Sequence, residues 1–502
     1  MNLMPDLVLP SSENTSSTAM GGQTAQEKAS PLLARTSDPP KKNATVIGIF
    51  GVQGCGKSHL LKQLKESLPN DKFVFHEIYD VIHHLDFRYY GPDPHWQQAE
   101  RIHLHQQAIQ HVGKECAASG KVGVVAAHFM LWPEQRDSWL QIPTDGALAV
   151  YSHALYLDVP ANIVFERRGK ASEVDSNKRS RPLMSIDHLE RFRQAEMAQL
   201  RKACRTHGIL FSAVSPGSGL VDHVTKLLND FEHHTEEVNL SRAQKKLDET
   251  MTSQACQLKT MLVFDADRTL AAEDTGQMFW EIMCDRDPIR YPEYPLKAQV
   301  GSPLFHSYTE YRRTALLYEE CGDDEAFNNL CEIVAAKVSL YPEIRTVLEL
   351  AQKHDHIGAL VVTSGLRLAW EKVLDREGLS QTVKIIGGCR ISDGFIVSAD
   401  VKRALVDRLQ DKYQLRIWAF GDAPVDLEML KKADQAVVVV GDEGTRSETM
   451  NEALEQAVGV DGLRVRQAVL ADGASPRLDT LRLPLVDITD HAFMDSIIDD
   501  KA

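Results

Sequence analysis

The chain has 502 residues, 71 acidic against 56 basic, for a formal net charge of −15 at pH 7; that length suits two or three domains, and the acidic surplus disfavours broad nucleic-acid binding, which neutralises backbone phosphates with Lys and Arg. Eight cysteines with no CxxC pair argue against a disulfide framework or a zinc ribbon. No apolar run reaches the ~18 residues of a membrane span and residues 1–30 lack the apolar core of a signal peptide, so the expectation is a cytoplasmic protein without a membrane partner.

Residues 1–42 are rich in Ser, Thr, Pro and Gly and nearly free of aromatics, so burial cannot offset the entropy of ordering and a disordered tail is expected. Over residues 43–215 apolar runs alternate with helical patterns, the signature of an α/β domain on a doubly wound parallel sheet. Strands are expected at Val46–Phe50, Phe73–Glu77, Val122–Ala127, Ala154–Val159 and Ile209–Val214, with Leu60, Leu61, Leu64 and Leu68 on one helical face after the first.

Between that first strand and that helix, Gly51, Val52, Gln53, Gly54, Cys55, Gly56, Lys57 and Ser58 match G-x-x-x-x-G-K-[ST]. The glycines let backbone N–H groups curl round phosphate oxygens, the helix N-terminus adds a favourable dipole, Lys57 can bridge the outer phosphates and the Ser58 hydroxyl can ligate Mg²⁺. The pattern predicts ATP binding. Downstream, Leu155-Tyr-Leu-Asp-Val-Pro is followed by Glu166-Arg167-Arg168 and by Lys178-Arg179-Ser180-Arg181. Together these stretches resemble the small P-loop kinases of nucleoside monophosphates and gluconate. The resemblance implies that Arg167, Arg168, Arg179 and Arg181 belong to a lid over ATP. The strand ending Ala126-Ala127-His128 lacks the acid expected to help hold Mg²⁺, and Glu77 or Asp80 are the candidates to replace it or to act as base. His76, His83, His84, His103, His105 and His111 match no zinc spacing and are assigned no metal.

Residues 216–258 are polar and charge-rich and read as a helical connector, which places the two phosphate sites on separate sheets with no shared catalytic group. A second alternation runs over 259–460, with strands expected at Met261–Phe264, Ala359–Thr363, Lys384–Gly387, Ile417–Phe420 and Ala436–Val440. Its first strand runs into Asp265-Ala266-Asp267-Arg268-Thr269, whose i, i+2 acids share one side of an extended strand end. One can attack phosphorus while the other manages the leaving-group proton. Thr363-Ser364-Gly365, Lys402, and Gly421-Asp422-Ala423-Pro424-Val425-Asp426 follow at later strand ends, supplying hydroxyl, cation and metal acids.

This set resembles the haloacid dehalogenase superfamily in its D-x-D-x-T form, most like phosphoserine phosphatase. The resemblance implies a Rossmann-like sheet with a helical cap over about 271–341. Asp265 would be the nucleophile and Asp267 the general acid and then base. Ser364, with Thr363 as the adjacent alternative, would bind the phosphoryl group, and Lys402 would stabilise it. Asp422 would hold Mg²⁺ with Asp265 and the Ala266–Asp267 backbone, and Asp426 would support the same metal. Glu273 and Asp274 lie where such phosphatases place an acid that recognises the substrate amine. The fused order is also similar to fungal multidomain proteins that continue into a uracil phosphoribosyltransferase-like domain. Residues 461–502 read as an extension leading toward one, and phosphoribosyl transfer is not expected here. Three functions fit: a kinase plus phosphatase on a small phosphorylated metabolite, end repair of the polynucleotide kinase type, or a phosphatase regulated by a nucleotide-sensing module.

Overall fold

A computed structural model describes residues 44–86, 98–131, 139–174, 185–251, 257–288, 290, 291, 295, 307–447, 449–471 and 473–499. The expected disordered tail, Arg179 and Arg181 lie outside these residues. The N-terminal sheet holds β1 (Val46–Phe50), β2 (Phe73–Glu77), β3 (Val122–Ala126), β6 (His153–Leu157) and β7 (Leu210–Val214), all parallel in the order β2-β3-β1-β6-β7. A short antiparallel pair, β4 (Met130–Leu131) and β5 (Leu140–Gln141), stands apart. Every residue of β1, β3 and β6 is buried. Strands covered on both faces are written as uninterrupted apolar runs, which is why the sequence pattern located them.

The C-terminal sheet orders β8 (Thr260–Phe264), β9 (Ile357–Thr363), β10 (Val383–Gly387), β11 (Arg416–Gly421), β12 (Gln435–Val440) and β13 (Arg466–Val469) as β10-β9-β8-β11-β12-β13, again all parallel. After β8 the chain builds outward on one side, then crosses to build outward on the other. The carboxyl ends of β8 and β11 therefore flank a switch point, where an open α/β sheet leaves a crevice. Residues 461–502, expected as an extension, contribute β13 to this sheet, and Phe493 and Ile497 to the core beneath it.

The connector forms two helices, each packed on one domain. Leu220–His233 places Val224, Leu227, Leu228 and Phe231 in the N-terminal core, and Glu236–Met251 places Ala243, Leu247 and Met251 in the C-terminal one. The halves are joined by more than this connector. Within the segment expected as the cap, the helix Tyr308–Glu319 lies against β7 and buries Ala315 and Leu316 in the N-terminal core, together with Ile391 and Ile396 from beyond β10. β7 is an edge strand. Its Ala213 N–H donates to Glu320 (3.0 Å) and its Ser212 hydroxyl to the Leu316 carbonyl (3.3 Å). Arg201 closes on Glu320 at 2.6 Å, Arg290 on Asp158 at 3.4 Å, and buried Arg312 pairs with Asp230. No helix among the described residues is long and apolar enough to cross a membrane.

Candidate active site

The β8 strand runs directly into Asp265, whose backbone N–H still donates to the Phe420 carbonyl of β11 (2.9 Å), so the two strand ends are locked side by side. Asp265, Asp422 and Asp426 are all buried, and one carboxylate oxygen of each lies within 4.8 Å of the others. Lys402, fully buried, places Nζ against Asp265 and 2.7 Å from Asp426. Burial first, and the neighbouring Asp426 next, raise Asp265 well above the usual carboxylate range and push Asp422 up to about 7. For Lys402 burial alone would favour the neutral amine, but Asp265 and Asp426 outweigh it and hold the ammonium charged. Asp426 is fixed by accepting from the Asp422 and Ala423 N–H groups (3.1 and 3.0 Å), and Thr269 donates to Asp422 (3.1 Å).

Asp267 points elsewhere. Its Oδ1 accepts from the N–H and hydroxyl of Thr275, both at 2.6 Å, and from Trp370 Nε1 at 3.3 Å. Burial, followed by the nearby Asp274, pushes it up to about 6, so its acid form persists into the range where an ordinary Asp has lost its proton. The carboxylate of Asp267 is not brought into the three-acid group, and Ser58 belongs to the N-terminal site.

The adjacent hydroxyls separate by their partners. Thr363 is fully buried and accepts from the Gly365 N–H (2.9 Å), whereas the Ser364 Oγ is buried without a hydrogen bond of standard geometry. Asp274 caps the following helix through the Gln277 N–H (2.9 Å) and pairs with Arg268 (3.3 Å). Glu273 keeps a buried carboxylate oxygen with no partner. Arg477, from the segment beyond β13, was not foreseen. It donates to the Asp422 and Ser447 carbonyls (3.0 and 2.7 Å), bracing the loop that carries Asp422 and Asp426. No motif surrounds it, so spacing gave no signal.

On the N-terminal sheet, Gly51, Gly54 and Gly56 have φ of 138°, 94° and 108°, a region closed to most L side chains. The loop they shape delivers the chain into the helix Lys57–Ser67. Lys57 is buried and donates to the Gly51 carbonyl (2.6 Å), and Arg167 Nη1 reaches the Cys55 carbonyl (2.6 Å). Arg168 packs its stem against Gly54. Glu77 lies beside Ser58, where burial raises its carboxyl and the Ser58 hydroxyl opposes the rise. Glu196, invisible to the motif, is fully buried with Lys57 in its field and accepts from the Met130 N–H (3.0 Å) and the Tyr156 hydroxyl (3.2 Å). Burial pushes it up to about 7.

With this geometry in hand, comparison with known proteins gives one family match. Residues 262–431 match the family model described as haloacid dehalogenase-like hydrolase. None of the curated proteins compared matches the chain. Similar solved structures include a phospho-aspartyl intermediate analogue of phosphoserine phosphatase, at 14% identity over 39% of this chain and 91% of the other, with TM-score 0.28. A probable phosphoserine phosphatase from Vibrio cholerae is 14% identical over 39% of this chain and 59% of its own, with TM-score 0.28. L-2-haloacid dehalogenase from Xanthobacter autotrophicus is 12% identical over 41% and 85%, with TM-score 0.25. The strand that runs into Asp265, the buried acids at the switch point and the family match together make residues 262–431 a haloacid dehalogenase-like hydrolase domain within this chain.

Proposed function

We propose that this domain is a Mg²⁺-dependent phosphomonoester hydrolase that works through an aspartyl-phosphate on a small phosphorylated metabolite. The observation that carries the reading is the buried group of Asp265, Asp422, Asp426 and Lys402, with Asp267 held apart in a protonatable state. Three buried acids face one ammonium, and the raised Asp265 and Asp422 mark a site short of positive charge and built of hard oxygen donors. That donor set suits Mg²⁺, and the three acids would hold it. The ion, when bound, offsets negative charge on the phosphoryl group. An Asp265 oxygen attacks phosphorus, forming a new P–O bond as the ester P–O bond breaks, and Asp267 gives its proton to the departing alcohol oxygen. Asp267, now a carboxylate, takes a proton from the water that attacks phosphorus next, as the bond between the Asp265 oxygen and phosphorus breaks. Orthophosphate leaves, and Asp265 and protonated Asp267 are restored. Lys402 keeps its positive charge beside Asp265 throughout. The unpartnered oxygen of Glu273 offers a place to read an amine on the leaving group.

The test is turnover on a panel of sugar, amino-acid and nucleotide monophosphates, with and without Mg²⁺. Asp265→Asn keeps the shape but not the nucleophilic charge, so turnover should fall by several orders of magnitude with little loss of stability. Full activity in folded Asp265→Asn, or wild-type turnover indifferent to chelation, would sink the assignment.

A second reading concerns the N-terminal half. The positive-φ glycine loop, with Lys57 and Arg167 gathered on it and Glu77 beside Ser58, supports ATP binding. Lys57→Ala should weaken ATP binding in equilibrium titration, and an unchanged dissociation constant would refute it. ADP release with candidate acceptors separates a kinase from a sensor. Binding of a labelled oligonucleotide at physiological salt would favour end repair.

A further inference from the structure

The helix Tyr308–Glu319 has one face committed to the N-terminal half. Tyr308 stacks on His234 (centroids 5.4 Å apart), Arg312 pairs with Asp230, and Ala315 and Leu316 enter the N-terminal core. Tyr311 lies at the border of that face. Its ring packs against the N-terminal core, while its phenol reaches the Ser364 hydroxyl, in the field of Lys402, Asp426 and Asp265. The Tyr311 and Ser364 hydroxyls stand adjacent, and Ser364 Oγ, which is buried, closes no hydrogen bond of standard geometry. Two neutral donors side by side, next to a buried nucleophile and its cation, form a pair that one anionic oxygen can satisfy.

We propose that Tyr311 is a further substrate-contacting residue of the hydrolase site, donating with Ser364 to an oxygen of the phosphoryl group, and that the N-terminal half completes this site by holding the helix that carries it. The inference rests on the phosphatase reading. Its chemistry is that of an oxyanion-binding donor: no bond to Tyr311 forms or breaks, and its proton stays in place. The helix cannot be moved without disturbing the Arg312–Asp230 pair, the stacked Tyr308 and the contacts to β7, so the donor is held in place before substrate arrives.

The experiment uses the full chain. Tyr311→Phe keeps the packed ring and removes only the hydroxyl. Turnover of p-nitrophenyl phosphate should fall by about 10²-fold, the scale of one preorganised donor, and inhibition by orthovanadate should weaken in parallel while the melting temperature stays near wild type. In Tyr311→Phe/Ser364→Ala the losses should be less than multiplicative, because both donors serve one oxygen. Asp230→Asn, remote from the acids, should reproduce part of the Tyr311→Phe defect if the N-terminal half sets the donor's position. An active wild type whose turnover and vanadate inhibition are both unchanged in Tyr311→Phe overturns this proposal and leaves the phosphatase reading standing. A wild type inert on the whole phosphate panel overturns both.

Discussion

Asp265 and Asp267 are two residues apart, yet their surroundings give them different chemistry. Lys402 holds Asp265 among metal-type acids, whereas Thr275 and Trp370 hold Asp267 in a pocket where burial pushes it up to about 6. A proton donor must start protonated, and Asp267 loses that form as pH rises through about 6. Turnover of an alkyl phosphate should therefore decline above that pH. Asp267→Asn should abolish this descending limb and cost about 10²–10⁴-fold, with a smaller loss for p-nitrophenyl phosphate, whose leaving group needs no proton. Equal losses on the two substrates would rule out the donor role. Residues of this kind were legible because each sits in a motif at a strand end. The choice between Thr363 and Ser364 was not, since sequence cannot tell which hydroxyl is spent on the Gly365 N–H. Glu196, Arg477 and Tyr311 left no trace either. Each reaches its site from a separate element, and only folding brings it there.

At the scale of elements, uninterrupted apolar runs gave away the buried parallel strands, but β13 reads Arg-Gln-Ala-Val and breaks that pattern because the fully buried Gln467 donates to the Leu478 and Leu483 carbonyls, partners that the sequence does not show. Helix patterns reveal an apolar stripe but not its partner, which is why Tyr308–Glu319 could be assigned to a cap without any hint that β7 is what it covers. The turn after β9 is tighter than its motif suggests. A Cβ at Gly365 would fall 2.1 Å from Asp267 Oδ2. Gly365→Ala should thus displace Asp267, the proposed proton donor, costing about 1–3 kcal/mol of overpacking and lowering alkyl-phosphate turnover more than p-nitrophenyl-phosphate turnover. Paired denaturant titrations and kinetics would show it. Unaltered kinetics would mean that Asp267 has room the structure does not give it.

Across the whole molecule, the sequence reading of two sheets joined by a polar connector gives way to two sheets that share packed residues. Arg312, 2% exposed, relies on Asp230 from the first connector helix for its counter-charge. Asp230→Ala would strand that guanidinium, and breaking a buried pair from one side costs about 3–5 kcal/mol. Urea unfolding should register the loss, and a change below ~1 kcal/mol would show that the pair is solvated in solution.

The covered edge of β7 also bears on how such a chain could be assembled from pieces. A gene encoding only the first half would leave the β7 donor at Ala213 without Glu320 and the N-terminal core without Ala315 and Leu316. One encoding only the second would release a helix whose apolar side has lost its seat. Shuffling the halves as interchangeable modules would therefore fail at a seam that no single cut in the coding sequence follows, and any recombination that preserved both would have to exchange β7 and its covering helix together.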